Sequence, residues 1–457
     1  MREKKSFLTI VTFICCLLAT SSMSAWSLFK REKQNQPQAI SLDAHVTAEK
    51  YSKLKSLFLC QGDESLLQLC KIICDDLDFT DQFEVELKKS TQKVNNLQIK
   101  KAHVRKLFKK GTSLLFILEQ AKNSETKLVA KDTSSNATVF EKQFSFNNSK
   151  LVSQAHELSA ELLTALTGDR GVCLTSIAYC KMLAPRHKII CVADYACKQE
   201  RVVVGTRAVN VAPSWHTKAP VLFYSQITNT KHRLMSLDLR TKKNSVVCSY
   251  QGLNMQPSFS RDGSKAVICL SGGQGNSELY WYDQNVCKSI GHRVFKQLTK
   301  NGSHNVSPCL LDDDNLIFCS DFGTGLPQIY HMNKKDREIR RLTGGKGYCA
   351  APSFCQKTKM IVYTRPVTDS TFQLFTMSLD NLESSDERQI TFGEGNKHEP
   401  SWSPCGRYIV FSCDKVDANK KRIPQVAALN YKSGKMRILT SSLEPKSFPR
   451  WWGQLAG

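Results

Sequence analysis

Six prolines recur at nearly constant intervals after Gly168, and that recurrence limits the fold of this chain more than any other feature. They head similar phrases: Pro213-Ser214-Trp215, Pro257-Ser258-Phe259-Ser260-Arg261-Asp262-Gly263, Pro308-Cys309-Leu310, Pro352-Ser353-Phe354, Pro400-Ser401-Trp402-Ser403-Pro404-Cys405-Gly406 and Pro449-Arg450-Trp451. The spacings are 44, 51, 44, 48 and 49 residues. Most phrases lead into a short apolar strand, as at 221–224, 266–270, 316–319, 361–363 and 408–411. A second strand follows, as at 278–282 and 328–330, and a third is closed by Gln297-Leu298-Thr299, Arg341-Leu342-Thr343, Gln389-Ile390-Thr391 or Ile438-Leu439-Thr440. Four strands in about 45 residues make one blade of a β-propeller. One four-stranded sheet cannot bury both faces alone, whereas radial stacking buries them against neighbours and leaves only short edges. Five intervals predict five blades. A sixth is expected from the Pro449 strand together with strands at 172–205, around Lys188 to Val192, which would tie the ends of the ring.

Residues 44–168 have a different rhythm. Tyr51 to Phe79 reads as two helical segments interrupted at Gln61-Gly62-Asp63. Leu66, Leu67, Cys70, Ile73, Cys74 and Leu77 recur at three- and four-residue steps and predict an amphipathic helix. Alternation predicts a strand over 82–87, another over 113–119, and a hairpin about 132–136. Lys150 to Thr167 predicts a helix with an apolar stripe, capped by Gly168. The basic stretch 88–110 reads as a solvated face. The expected fold is two-domain: a small N-terminal α/β domain followed by a six-bladed β-propeller closed by N- and C-terminal strands.

The chain opens with Met1-Arg2-Glu3-Lys4-Lys5, runs apolar from Phe7 to Ala19, and continues with small polar residues to Ala25. This is the pattern of a secretory signal, predicted at 1–25 and followed by a polar extension at 26–43. The run is too short for a stable span, which needs about 20 residues. An uncleaved signal anchor is the alternative. Of 18 cysteines, Cys15 and Cys16 lie inside this run. No Cys-x-x-Cys occurs among the others, which argues against zinc ribbons and thioredoxin-like sites. Cys269, Cys319 and Cys413 fall 12, 11 and 13 residues after Pro257, Pro308 and Pro400. That is nearly one recurring strand position, suited to a small buried side chain. Buried thiols are expected there, and disulfides are the alternative in an oxidising compartment. The formal charge of +23 favours anionic neighbours without choosing among them.

From about Cys70 onward the chain resembles the TolB family of the Tol-Pal envelope system. The resemblance is carried by Ile72-Ile73-Cys74-Asp75-Asp76-Leu77 with Phe83, by His156 through Leu166-Thr167-Gly168 and Gly171 with Ile177-Ala178-Tyr179, by Ser320-Asp321 through Pro327-Gln328-Ile329-Tyr330, and by the proline phrases. The chain departs from the family in its cysteine load, in Cys405 where the Pro400 phrase would carry Asp, and in the segment 26–50. The resemblance implies a monomeric periplasmic scaffold that binds Pal, the peptidoglycan-associated lipoprotein, and links it to inner-membrane Tol proteins, TolA among them, during envelope constriction. It implies no catalytic residue, cofactor, metal, nucleic-acid partner or stable membrane insertion. Loops entering the proline strands share one face with the loops between second and third strands, and the Pal face of the family is that one. Here it would carry Leu253, Asn254, Gln256, His304, Asn305, Ser307, Lys397, His398 and Glu399, expected to be mostly polar and loop-borne at one mouth of a channel. His398 beside Glu399 could form a local ion pair.

Two other classes of protein fit the sequence less well. A propeller hydrolase needs a Gly-x-Ser-x-Gly elbow and an α/β-hydrolase domain. That pentapeptide is absent, and about 145 residues before the ring are too few. His156-Glu157 is not followed by the spacing of a zincin, and His156 reads as a junction residue. Asp312-Asp313-Asp314 reads as a solvated turn and not a metal site. Trp215, Trp402 and Trp451 read as packing residues. The other alternative is a basic propeller binding an anionic envelope polymer directly, favoured by net charge alone.

Overall fold

The computed structural model describes residues 53–89, 101–120, 125–273, 275–344, 347–368, 371–380, 386–416 and 421–453. The leader 1–25 and the extension 26–43 lie outside the described residues. The chain forms two compact units, one ending at Thr175 and the next beginning at Ser176.

The first unit is a five-stranded sheet of order β2-β1-β3-β4-β5. Its strands are β1 (Leu54–Gln61), β2 (Phe83–Lys89), β3 (Leu114–Gln120), β4 (Glu125–Asp132) and β5 (Thr138–Ser145). Its helices are α1 (Glu64–Phe79), α2 (Lys101–Lys109) and α3 (Leu151–Thr167). Asp63 caps α1 by accepting from Leu66 N, and Gly168 ends α3 at a φ of 71°. One expectation fails: residues 54–61 are a strand, not a helix. Leu54, Leu57 and Phe58 mimic helical spacing, but β1 lies between two parallel neighbours, β2 and β3. A short apolar run buried in this way cannot be told from a helix by periodicity alone. His156 pairs with the buried Asp76 at 2.9 Å, within this unit.

The second unit is almost entirely antiparallel sheet. β6 (Ser176–Ala184), β7 (His187–Asp194), β8 (Arg201–Val204), β9 (Val209–Trp215), β10 (Val221–Ile227), β11 (His232–Asp238) and β12 (Asn244–Cys248) lead the unit. Four separate four-stranded sheets follow. They are β13 (Asn254–Phe259), β14 (Lys265–Leu270), β15 (Glu278–Asp283) and β16 (Phe295–Gln297); β17 (Asn305–Leu310), β18 (Asn315–Ser320), β19 (Gln328–Asn333) and β20 (Ile339–Arg341); β21 (Ala350–Cys355), β22 (Met360–Thr368), β23 (Thr371–Ser378) and β24 (Arg388–Gln389); and β25 (Lys397–Trp402), β26 (Tyr408–Val416), β27 (Arg422–Asn430) and β28 (Met436–Ile438). The last strand, β29 (Lys446–Trp452), pairs antiparallel with β6, so the C-terminal proline strand is stitched to the start of the unit. β6 to β12 and β29 form one eight-stranded sheet, in which β7 and β9 meet only at Lys188 and Val209. The proline-bearing strands pack in a closed cycle: β9 on β13, β13 on β17, β17 on β21, β21 on β25, β25 on β29 and β29 on β9. This is a β-propeller, preceded by an α/β domain. A short helix, α4 (Gln284–Ile290), interrupts the strands of this unit; Asp283 caps it and Gly291 ends it.

The recurring phrases join neighbouring strands of the cycle. The serine after proline accepts from the backbone of the next proline strand: Leu310 N to Ser258 Oγ at 2.9 Å, Trp402 N to Ser353 Oγ at 3.2 Å, and Trp451 N to Ser401 Oγ at 3.2 Å. The closing threonines also repeat one device. Thr343 donates to Gln328 Oε1 at 2.7 Å and accepts from Ile329 N at 3.0 Å. Thr391 does the same with Gln373 and Leu374, and Thr440 with Gln425 and Val426. Trp402 and Trp451 are buried, packed edge-on to Tyr431 and tilted against Tyr408 respectively. The Asp312–Asp314 run is a turn whose carboxylates pair with lysines, Asp313 with Lys265 and Asp314 with Lys335 at 2.6 Å.

The cysteine reading needs one correction. Cys269 and Cys319 do share a position, but Cys413 does not. Cys269 pairs across the ladder with Met255 and Cys319 with Val306, each two residues before proline, and the equivalent position beside His398 is Ser412. Cys180, opposite Ser447, is the third cysteine there. The position takes a small donor: Cys269 Sγ reaches Asn305 O at 3.3 Å, Cys319 Sγ reaches Cys349 O at 3.4 Å, and Ser225 Oγ reaches Asn254 O at 2.9 Å. All sixteen cysteines outside the apolar leader are free thiols. Alkylation of denatured, unreduced protein, read by mass spectrometry, is therefore expected to label all sixteen; a smaller number would reveal pairing that this structure lacks.

Candidate functional site

Each proline strand is bent at one point. The residue before proline has a positive φ in all six: Ala212 51°, Gln256 53°, Ser307 50°, Ala351 54°, Glu399 56° and Phe448 54°. The left-handed region is uncommon for residues with a side chain. Each lies at a break in ladder register, as between Met255 and Ser258 or between His398 and Ser401. The cause is local. Proline has no N–H to offer the ladder, and a bulge takes it out of the pairing. The bulges set six equivalent positions near the point where the chain enters these strands, five of them buried.

Three residues before proline, in five of the six strands, a buried amide or ammonium holds the entering loop; Cys349 takes that place before Pro352. Asn254 Nδ2 donates to Tyr250 O at 2.7 Å, Gly252 O at 3.0 Å and His232 O at 3.1 Å. Asn305 Nδ2 donates to Asn301 Oδ1 at 2.8 Å, Glu278 Oε2 at 2.9 Å and Ser303 O at 3.3 Å. Asn210 repeats this with Lys188 O and Thr206 O. Lys397 Nζ donates to four carbonyls, Glu394 at 2.6 Å, Gly395 at 2.9 Å, and Phe392 and Gly393 at 3.2 Å. Desolvation moves its pKa downward. Lys446 Nζ contacts Ser442 Oγ, Glu444 O and Gln425 Oε1. Carbonyl oxygens turned inward in a loop need a donor, and these side chains supply it.

This geometry revises how the nine anticipated residues are placed. Seven lie within β13, β17 or β25, not in loops, and Leu253 and His304 immediately precede strands. Leu253, Asn254, Asn305, Ser307, Lys397 and Glu399 are buried; Gln256, His304 and His398 are half-buried. The side chains of Asn254, Asn305, Lys397 and Glu399 face inward, where the entering loops and the closing strand need partners. Ser307 Oγ donates to Gln256 Oε1 at 3.1 Å, joining adjacent bulges. His304 N donates to Asp321 Oδ1 at 2.8 Å. His398 does not pair with Glu399. Its ring lies 5.0 Å from that of Phe372, and burial holds its pKa down at about 4. The Glu399 carboxylate turns the other way, accepting from Ser412 Oγ at 3.0 Å and from Phe448 N on the closing strand. Arg450 Nη1 donates to the Glu399 carbonyl at 3.0 Å. Burial pushes the Glu399 carboxyl up to about 7.

Two of the entering loops show a large apolar side chain to solvent beside exposed polar ones such as Glu394, Ser441 and Ser442. Leu443 is 82 % exposed and Phe392 66 %, the two most exposed large apolar side chains among the described residues. The Lys397 and Lys446 anchors grip the backbone on which they stand, and β25 and β29 pack together. Sequence reading missed both residues. Their signal was an apolar side chain in a turn-rich segment between a closing threonine and a proline strand. Among the described residues no group of three His, Cys, Asp or Glu side chains could hold a metal ion. No described helix is long and apolar enough to cross a membrane.

The TolB β-propeller domain family matches residues 163–452 of this chain. The Tol-Pal system protein TolB of Francisella tularensis subsp. mediasiatica (strain FSC147) is 26 % identical over 320 residues, which is 66 % of this chain and 71 % of that relative. The Tol-Pal system protein TolB of Helicobacter pylori (strain HPAG1) is 23 % identical over 383 residues, which is 81 % of this chain and 87 % of the relative. The crystal structure of TolB from Acinetobacter baumannii shares the fold with a TM-score of 0.72 at 21 % identity, covering 87 % of this chain and 96 % of that one.

Proposed function

This chain belongs to the TolB β-propeller family, and on that premise we propose that it is a non-catalytic periplasmic scaffold of the Tol-Pal system. It captures the lipoprotein Pal on the face where the chain enters the proline strands, and through Pal supports outer-membrane integrity and constriction at division. Residues 1–25 serve as its export signal, and 26–43 would be the segment available to TolA. The α/β domain then spans 44–168 and the propeller 169–457. The propeller is read as six-bladed. The eight-stranded sheet divides into β29-β6-β7-β8 and β9–β12, because the contact of Lys188 with Val209 is too slight to make one blade of the two. The closed cycle of proline strands supports that count.

One observation carries the binding reading. A set of buried anchors, Asn254, Asn305, Lys397 and Lys446, fixes neighbouring loops at one end of the propeller, and those loops leave Phe392 and Leu443 bare. Rigid loops with projecting apolar side chains lower the entropy lost on docking. Leu253, Gln256, His304, Ser307, His398 and Glu399 shape the same end from beneath. The test is pull-down of the soluble domain of Pal. Phe392→Ser with Leu443→Ser is expected to weaken capture at least tenfold, as loss of apolar anchors does. Arg261→Ser, on the opposite face, is expected to leave capture unchanged. Undiminished capture by the double variant would refute the face. Salt-sensitive sedimentation with peptidoglycan in the absence of Pal would favour a polymer-binding propeller instead.

A further inference from the structure

A cavity of about 200 Å³ opens where three connections meet. They are the turn between β6 and β7, the segment entering β9, and the turn between β10 and β11. By strand direction, all three belong to the end of the propeller that carries Phe392 and Leu443. Val209 and Ile227 stand opposite one another in the β9–β10 ladder and form an apolar floor. Arg186, Arg207, Ala208, Thr228 and Asn229 complete the lining.

Arg186 is placed with some strain. It follows Pro185 in a two-residue turn closed by Ala184 and His187, and has a φ of 64°. That turn position ordinarily takes glycine or asparagine. Its Nη2 donates to Asn229 Oδ1 at 3.0 Å, which directs the guanidinium across the cavity. Arg207 reaches the cavity from the second connection. Both arginines are exposed, and among the described residues neither has a carboxylate partner. The three chain segments, 184–188, 205–209 and 227–233, contribute Arg186, His187, Lys188, Arg207, Lys231, His232 and Arg233 and no acidic residue. Two planar guanidinium groups above an apolar floor match a carboxylate carried on a short methylene stem.

We propose that this cavity is a carboxylate-binding site that seats a glutamate side chain of the partner docked on this face. It rests on the reading of that face as the capture surface, and supplies the chemistry of one contact. The two guanidinium groups take the carboxylate, and Val209 and Ile227 cover its methylenes. Steering by the surrounding cations raises the rate of encounter.

Two measurements test it. First, the arginine side-chain N–H signals of the full chain are followed by NMR as N-acetyl-glutamate N-methylamide is added, and separately inorganic phosphate at matched ionic strength. The glutamate derivative is expected to shift the Arg186 and Arg207 signals saturably, and Arg186→Gln with Arg207→Gln to abolish the response. No saturable response, or an equal one with phosphate, would overturn a carboxylate site. Second, capture of the soluble domain of Pal is measured for that double variant. A loss of about tenfold, steepest at low salt and only partly restored by Arg186→Lys with Arg207→Lys, is expected. Full capture by the arginine variant, alongside lost capture by the Phe392 and Leu443 variant, would overturn this contact and leave the capture face intact. Full capture by both would remove the face, and with it this assignment of the cavity to a docked partner.

Discussion

Glu399→Lys is expected to destabilise the propeller by about 3–5 kcal/mol, a large part of the stability of an ordinary domain. Glu399 is buried, and its carboxylate accepts two bonds, from Ser412 Oγ and from Phe448 N on the closing strand. A lysine there offers donors to donors and sets a second buried cation near Arg450, whose guanidinium is already desolvated. Glu399→Ala should cost less, about 2–3 kcal/mol, by leaving the Phe448 amide unpaired. Urea titration with near-ultraviolet dichroism measures both. Loss of Pal capture by the lysine variant would therefore report a failed ring closure and not a lost contact. A lysine variant of wild-type stability would show that this carboxylate does not bridge the strands.

The same residue predicts a pH dependence of definite sign. An unfolded glutamate releases its proton near 4.5, whereas burial holds the folded one to about 7. Between those values the folded chain keeps a proton that the unfolded chain has lost. Stability therefore falls as pH rises through that window, by up to about 3 kcal/mol from this group. His232 and His398, held down to about 4 by burial, act oppositely between 4 and 6.5. The quantity to measure is thus the difference between wild type and Glu399→Gln, which stays neutral throughout. That difference should grow in favour of the glutamine variant as pH rises from 4.5 to 7.

Lys397→Met is expected to cost about 2–4 kcal/mol and to release the loop that carries Phe392. Four inward carbonyls lose their donor at once, and a methionine of similar length supplies none. The loop can then regain hydrogen bonds only by opening to water. Hydrogen exchange at residues 392–396 should rise while exchange in β13 and β14 stays slow. Capture of Pal should weaken in parallel with Phe392→Ser if that side chain is a docking anchor. Unchanged protection of the loop would mean that Lys397 is dispensable to it.

Glu399 and Lys397 were legible in the sequence as members of a recurring set, but the direction of their side chains was not. Their spacing from Pro400 marked them as equivalents of Gln256 with Asn254 and of Ser307 with Asn305. Spacing does not tell whether a polar side chain at a strand end points to solvent or back to its own loop. The two alternatives differ by one residue of register, and the bulge at each proline sets that register. For the same reason Cys413 lies one residue away from the position of Cys269 and Cys319, and Ser412 holds their place. Phe392 and Leu443 gave no periodic signal because they sit in loops outside the strand repeat.

Residues 54–61 mark the same boundary from the side of secondary structure. Their leucines fit a helix as well as a strand until the neighbours on both sides are known. What the amino-acid order determined by itself was the repeat: proline at a fixed place, alternating apolar strands, and a closing threonine, which only stacked four-stranded sheets can satisfy. Tertiary structure alone decided which polar groups are spent inside and which side chains, such as Phe392 and Leu443, are left to solvent. Hydrogen bonds between loops and anchors join residues whose geometry is fixed only once the ring has closed through β29 and β6.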